Sequence, residues 1–102
     1  MRVPAAVTFD ADDRTCFNEA GLVVSAVPSR HLRGVWGRLA QYMPANVPVL
    51  SVTKGIENGT LLLPTQILAQ LTGDRPIGAL SGPNIAKELA RRLPATATVA
   101  SE

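Results

Sequence analysis

Lys54 is the residue whose type and position most directly offer chemistry. It is the first lysine in the chain, stands directly behind the apolar run VPVLSV, and is followed by Gly55, which permits a tight backbone path. An ammonium held at such a turn can pair with a phosphate, or with a hydroxyl oxygen that gains negative character during oxidation. The plainer alternative is a solvated lysine in a turn. A second candidate is SGPNIAKE, where Gly82 and Pro83 shape a turn and Asn84 stands at the start of an expected helix. There the Asn84 amide and the free backbone N–H groups of residues such as Ala86 can hold an anion or a cofactor oxygen, although Asn84 serves equally well as an ordinary N-cap. A third candidate is PSRH: Ser29, directly after Pro28, can hydrogen-bond a cofactor or cap the helix that follows, the cap being the commoner use.

Other reactive side chains carry weaker signals. His31 is the single histidine and has the nitrogen chemistry of a general base, but it falls in the first turn of a helix that reads as exposed, and no second histidine or a cysteine joins it as a metal ligand. Asp10, Asp12 and Asp13 read as a helix start favoured by the helix dipole more than as a metal cage. Cys16 is the one cysteine, so neither an intrachain disulfide nor a multi-cysteine metal site is expected.

Three strand-to-helix units place these turns. Residues 22–27, LVVSAV, form a nearly continuous apolar run between Gly21 and Pro28, the pattern of a parallel strand buried on both faces. The following helix carries Leu32, Val35, Trp36, Leu39 and Met43 at three- and four-residue steps and stops at Pro44. Gly34 and Gly37 weaken it, so either the packed stripe holds the helix or its backbone approaches something closely. Residues 47–52 repeat the strand pattern. A second helix is expected over residues 61–71, opened by Thr60 and Pro64 and closed by Gly73. Residues 77–80, a helix over 85–92 and a strand over 96–100 complete the alternation. Near the amino terminus, a short strand over 6–9 and a helix over 11–20 are expected. Successive strand-to-helix crossovers predict an α/β fold with a doubly wound parallel sheet. In such sheets ligands bind beyond the carboxyl ends of the strands, which is where PSRH, TKGIE and SGPN all fall.

Composition narrows the classes of partner. With 102 residues, 46% apolar and 18% charged, the chain has room for one modest core and lacks the signature of a disordered segment. Ten basic residues against eight acidic ones give a formal charge of +2, with the cations scattered singly; a nucleic acid or an anionic membrane draws on a clustered basic footprint. A small phosphate-bearing metabolite needs only one or two well-placed cations. No run approaches the ~18 apolar residues of a membrane helix, and the first residues lack the apolar centre of a signal peptide. Cytoplasmic residence is the expectation. The G-x-G-x-x-G turn of a dinucleotide fold is absent, as is a Walker A loop.

Taken in order and spacing, LVVSAVPSRHLRGV, SVTKGIENGT and ALSGPNIAKELARRLPATATVAS resemble consecutive blocks of the NAD(P)-dependent glycerol-3-phosphate dehydrogenases. T-K-G-I-E together with S-G-P-x-x-A-x-E is a specific pair, and the resemblance covers nearly the whole chain from about Val7. It implies a partial Rossmann-like fold lacking its first βαβ unit, with residues 1–102 forming part of an NAD(P)-binding domain and the helical C-terminal domain lying outside the sequence. It implies that Lys54 contacts both substrate and dinucleotide, that Gly82 and Asn84 line the substrate site, and that Pro28, Ser29 and Ala86 lie on the cofactor, NAD or NADP. The activity implied is reversible hydride transfer between dihydroxyacetone phosphate and sn-glycerol 3-phosphate. No catalytic residue is expected within the chain, because the family's general-base lysine belongs to the C-terminal domain, so little activity is expected of residues 1–102 alone. The alternatives are a fragment of a related hydroxy-acid or sugar-phosphate dehydrogenase, and a non-catalytic interaction fragment that pairs with a complementary chain or with itself.

Overall fold

The computed structural model describes residues 2–101. Pairs of apolar or small residues two apart start the sheet: Val23 and Ser25 in β1 (Val23–Ser25) and Val49 and Ser51 in β2 (Val49–Ser51) point to one side and are buried there. β1 pairs in parallel with β2, and β2 in parallel with β3 (Ile77–Ser81), with Val23 opposite Val49 and Val49 opposite Ile77. The last strand, β4 (Thr98–Ser101), runs antiparallel to β3, so the sheet is mixed, in the order β1-β2-β3-β4. The chain leaves β3 at Ser81, and Thr98 pairs with that same residue, so it re-enters at the edge it left instead of crossing over to the far one. A parallel sheet was the sequence expectation for all four strands; the partial Rossmann-like α/β architecture holds, with this antiparallel edge added.

Two helices cover the inner side. α1 (Ser29–Leu39) continues into a 3-10 turn at Ala40–Tyr42, and α2 (Pro64–Thr72) starts with Pro64 in the first turn, where its missing N–H costs nothing. Their stripes meet the sheet and each other in one cluster of Val23, Leu32, Trp36, Val49, Ile67 and Leu68. The Trp36 indole N–H donates to the Ser25 hydroxyl at 2.8 Å, which satisfies both polar groups inside the core. Phe17 stacks on the Trp36 ring with centroids 5.9 Å apart. Gly34 and Gly37 have open space where a side chain would stand, so it is the packed stripe that holds α1, and no close backbone approach is involved.

No helix covers the opposite face of the sheet, which is most open at its edges: Val24 is 53% exposed and Val99 60%, while Leu50 and Leu80 between them are half-buried. Burial on both faces, expected from the apolar run at 22–27, is therefore not what this chain achieves, because a run of that kind does not say whether a second layer is present. Two further expectations fail near the amino terminus. Residues 6–9 form no strand, and where a helix over 11–20 was expected, residues 13–19 form consecutive turns. Asp10 accepts from the Asp12 N–H and the Thr15 hydroxyl, and Asp12 accepts from the Arg14 N–H, local bonds that compete with helical ones. The Cα radius of gyration, 14.5 Å, exceeds the ~13 Å usual for about 100 residues.

Candidate functional site

Because β1, β2 and β3 are parallel, the turns that follow them open on one edge, and bonds between the turns draw them together. The Val52 N–H donates to Ser25 O at 3.0 Å, and the Thr53 hydroxyl donates to Val27 O at 2.6 Å, so the second turn is tied to the first. Gly55 has φ +116°, and a Cβ there would stand 3.2 Å from Ser29 Oγ. The Lys54 ammonium reaches across to the third turn and donates to Gly82 O at 2.8 Å. The same carbonyl accepts the Asn84 N–H at 2.9 Å. Gly82 itself has no room for a side chain, since a Cβ would fall 2.5 Å from the backbone oxygen of Thr96. Pro28, Ser29, Lys54, Gly82 and Asn84 are thus collected along one rim, and Ala86 opens the short α3 (Ala86–Ala90) just beyond it.

Beneath Lys54 lies an open pocket of about 400 Å3, bordered by Ser51, Thr53, Gly55, Ala79, Ser81 and the first residues of α2. Its polar groups are hydroxyls and one ammonium. A second hollow of about 460 Å3 lies between α2 and the β3–β4 edge, beside Ile77, Ala79 and Ala100. The cation there, Arg75, already donates to the carbonyls of Pro44, Val47 and Thr72, so its charge serves to bind the turns at the base of the sheet together.

Two sequence expectations about side chains change, those for Ser29 and Asn84, while His31 is exposed as expected. Ser29 is the first residue of α1, whose N-cap is Pro28, and it makes no capping bond; its hydroxyl faces Gly55 instead. Asn84 is not the N-cap of α3 either, since that place is taken by Ile85. His31 is exposed and accepts at Nε2 from the Arg30 guanidinium at 3.0 Å, away from the Lys54 pocket lining. No cluster of histidine, cysteine or acidic side chains with the makings of a metal site occurs among the described residues. Desolvation, together with the charges of Asp10, Asp13 and Asp12, raises the Cys16 thiol above its ordinary value, which disfavours the nucleophilic thiolate.

Glu57 is the residue that sequence reasoning passed over. It belongs to the TKGIE block, yet nothing local assigns it a partner. In the structure its carboxylate takes both arms of Arg33 on α1, at 2.8 and 2.9 Å, and the Thr60 hydroxyl at 2.5 Å. Arg33 also donates to Gln70 Oε1 on α2 at 3.0 Å. The Arg33 and Thr60 hydrogen bonds hold the Glu57 carboxyl down from its ordinary value of 4.5 to about 2. A folded-state value below the unfolded one means that the stabilisation is complete above about 4.5 and is lost as the pH falls from there towards 2. The thermal midpoint, followed by circular dichroism, is therefore expected to drop across that interval, and Glu57→Gln should flatten the drop. An identical acid profile for the two proteins would show that the bond to Arg33 does not contribute.

The model of the NAD-dependent glycerol-3-phosphate dehydrogenase N-terminus matches residues 1–102. The chain belongs to this family. It is 47% identical over 83 residues to the glycerol-3-phosphate dehydrogenase [NAD(P)+] of Myxococcus xanthus, covering 78% of this chain and 25% of that one. To the enzyme of the same name from Corynebacterium aurimucosum it is 37% identical over 103 residues, covering 98% of this chain and 31% of that one. Among solved structures, the glycerol-3-phosphate dehydrogenase of Coxiella burnetii superposes with a TM-score of 0.81 at 27% identity, over 89% of this chain and 28% of that one. The chain therefore spans between a quarter and a third of the length of these curated relatives. The family is NAD(P)-dependent, in agreement with the cofactor class expected from the sequence. No helix among the described residues is long and apolar enough to cross a membrane.

Proposed function

We propose that residues 1–102 form part of the NAD(P)-binding domain of a cytoplasmic glycerol-3-phosphate dehydrogenase, contributing one wall of the cofactor and substrate site and needing a helical catalytic domain to turn over. The observation that carries this is the bond from the Lys54 ammonium to Gly82 O, which puts the cation and the SGPN turn at one place on the rim. An ammonium has three donors, and this bond uses one of them, leaving two for a phosphate or an alcohol oxygen. The rim also fits a dinucleotide. Glycine at position 55 lets the backbone come up against Ser29 Oγ, and the pocket beside it offers hydroxyls and a single cation, a lining suited to an anionic, hydroxyl-rich ligand.

In this function Lys54 binds the phosphate-bearing substrate and steadies the oxygen whose charge changes, while Gly82 and Asn84 border the substrate. Pro28, Ser29, Ala86 and Lys54 itself border the cofactor, NAD or NADP. The nicotinamide, when bound, supplies the hydride chemistry that interconverts dihydroxyacetone phosphate and sn-glycerol 3-phosphate. The lysine that takes the hydroxyl proton belongs to the C-terminal domain, so the chain alone is expected to be inactive. Hydride transfer needs cofactor, carbon and base held together.

A chimaera tests this directly. Residues 1–102 replace the corresponding segment of the Myxococcus xanthus relative, and NADH oxidation is followed on addition of dihydroxyacetone phosphate. The chimaera should oxidise NADH and the isolated chain should not. A folded chimaera that ignores dihydroxyacetone phosphate, or that prefers another sugar phosphate or a hydroxy acid, would move the chain to a different dehydrogenase.

One observation supports a second role beside this one. The sheet face that no helix covers, with Leu22 and Val24 both 53% exposed, is the surface of an interaction fragment that pairs with a complementary chain or with itself. Sedimentation over a range of concentrations decides the point, since a monodisperse monomer with cooperative unfolding would exclude self-association.

A further inference from the structure

Lys54 owes its direction to contacts made by its neighbours, which run from Val27, just ahead of α1, onto that helix. Thr53, immediately before it, is tied by its hydroxyl to Val27 O at 2.6 Å. Gly55, immediately after it, rests against Ser29 at the start of α1. Two residues further on, Glu57 is gripped by Arg33 through two bonds, at 2.8 and 2.9 Å. Ser29 and Arg33 are four apart on α1, hence on the same face one turn from each other. The segment from Gly55 to Glu57 is therefore laid along that face, passing close to Ser29 at one end and bonded to Arg33 at the other. Behind it the loop closes on Glu57 again: its N–H donates to Leu62 O at 2.9 Å, and its own carbonyl accepts the Leu61 N–H at 3.0 Å. Arg33 extends the same tie to α2 through Gln70.

We infer that Arg33 and Glu57 are positioning residues for Lys54: their ion pair fixes the loop so that the Lys54 ammonium meets Gly82 O across the rim. Neither side chain borders the Lys54 pocket, so their effect passes through the backbone between Gly55 and Glu57. Arg33 is the residue that matches this task, because its planar fork fixes the carboxylate in orientation as well as in distance, which a lysine's point charge would not. The Glu57 side chain is 16% exposed and that of Arg33 40%, so the pair is half-buried and partly screened by solvent.

Where ligand affinity is the readout, this role presupposes the cofactor-binding function proposed above, so the test carries one arm with a ligand and one without. In the first, NADH is titrated by fluorescence into the full chain and into Lys54→Ala, Glu57→Gln and the double variant. Glu57→Gln should weaken binding about fivefold in the native background and not at all in the Lys54→Ala background, because residues that act through one another fail to add. An equal loss in both backgrounds would mean that Glu57 merely supports the fold, and the inference would fall. In the second arm, nuclear Overhauser cross-peaks between the Lys54 side chain and the Gly82 α protons are recorded without ligand. They should be present in the native chain and lost in Glu57→Gln, while the Trp36 indole N–H resonance, reporting its bond to Ser25, stays in place. Cross-peaks that survive Glu57→Gln overturn the inference whatever the titration gives. A native chain that shows the cross-peaks and binds no NADH would refute the cofactor function of the isolated chain and leave the positioning role standing. If Glu57→Gln loses the indole signal, Arg33→Lys, which keeps the charge and removes the fork, is read in the same way.

Discussion

Lys54→Ala should weaken NADH binding by roughly ten- to a hundredfold, the effect of losing a charge-assisted hydrogen bond worth about 1.5–3 kcal/mol at about 1.4 kcal/mol per tenfold. The side chain is exposed and its structural bond is to a single carbonyl, Gly82 O, so its removal leaves the core untouched. The far-ultraviolet spectrum and thermal midpoint should therefore stay close to those of the native chain while affinity falls. Lys54→Arg is the informative companion: it keeps the charge but replaces a compact ammonium by a wide planar group, and should recover only part of the affinity. Unchanged affinity in a folded Lys54→Ala chain would remove the residue from the site and with it the central support for the proposed function.

The second large effect concerns the fold that presents the site. Trp36 is 2% exposed and is the largest member of a cluster that contains, among the described residues, five other buried apolar side chains, Val23, Leu32, Val49, Ile67 and Leu68. Trp36→Ala removes the stacking partner of Phe17, opens a cavity under both helices and costs about 3–5 kcal/mol. Whole domains have only about 5–15 kcal/mol of stability, and a sheet with helices on one face only sits low in that range. Loss of cooperative thermal unfolding is the expected result, measured by calorimetry. Trp36→Phe should be milder, because it keeps an aromatic ring while removing the N–H that donates to Ser25; the expected cost is about 1–3 kcal/mol. A cooperative Trp36→Ala transition at the native midpoint would mean that the helices are held to the sheet by something else.

Both results bear on a site whose parts were unequally legible. Lys54, Gly55, Gly82 and Asn84 could be read from local order alone, because an apolar strand followed at once by a polar, glycine-bearing turn and a helix places that turn at the carboxyl end of the strand. The stripe of α1 was legible for the same reason: Leu32 and Trp36 recur at helical spacing and become buried, with Leu39 and Met43 packed half-buried beside them. Capping was not. Ser29 and Asn84 have the right chemistry for a cap, yet each helix start settled elsewhere, α1 behind Pro28 and α3 behind Ile85.

The amino-acid sequence by itself determined the strand-turn-helix units and which turns carry the ammonium and the glycines, since each of these depends on neighbours a few residues apart, and the family, through blocks in fixed order along the chain. Only the tertiary structure decided that Lys54 meets Gly82, 28 residues away, and that Arg33 grips Glu57, 24 residues away. It also decided that β4 runs antiparallel and that one sheet face carries no helix. The physical reason is that periodicity records which side of an element is apolar, whereas strand direction, the covering of a face and the pairing of distant charges depend on what the rest of the chain brings alongside.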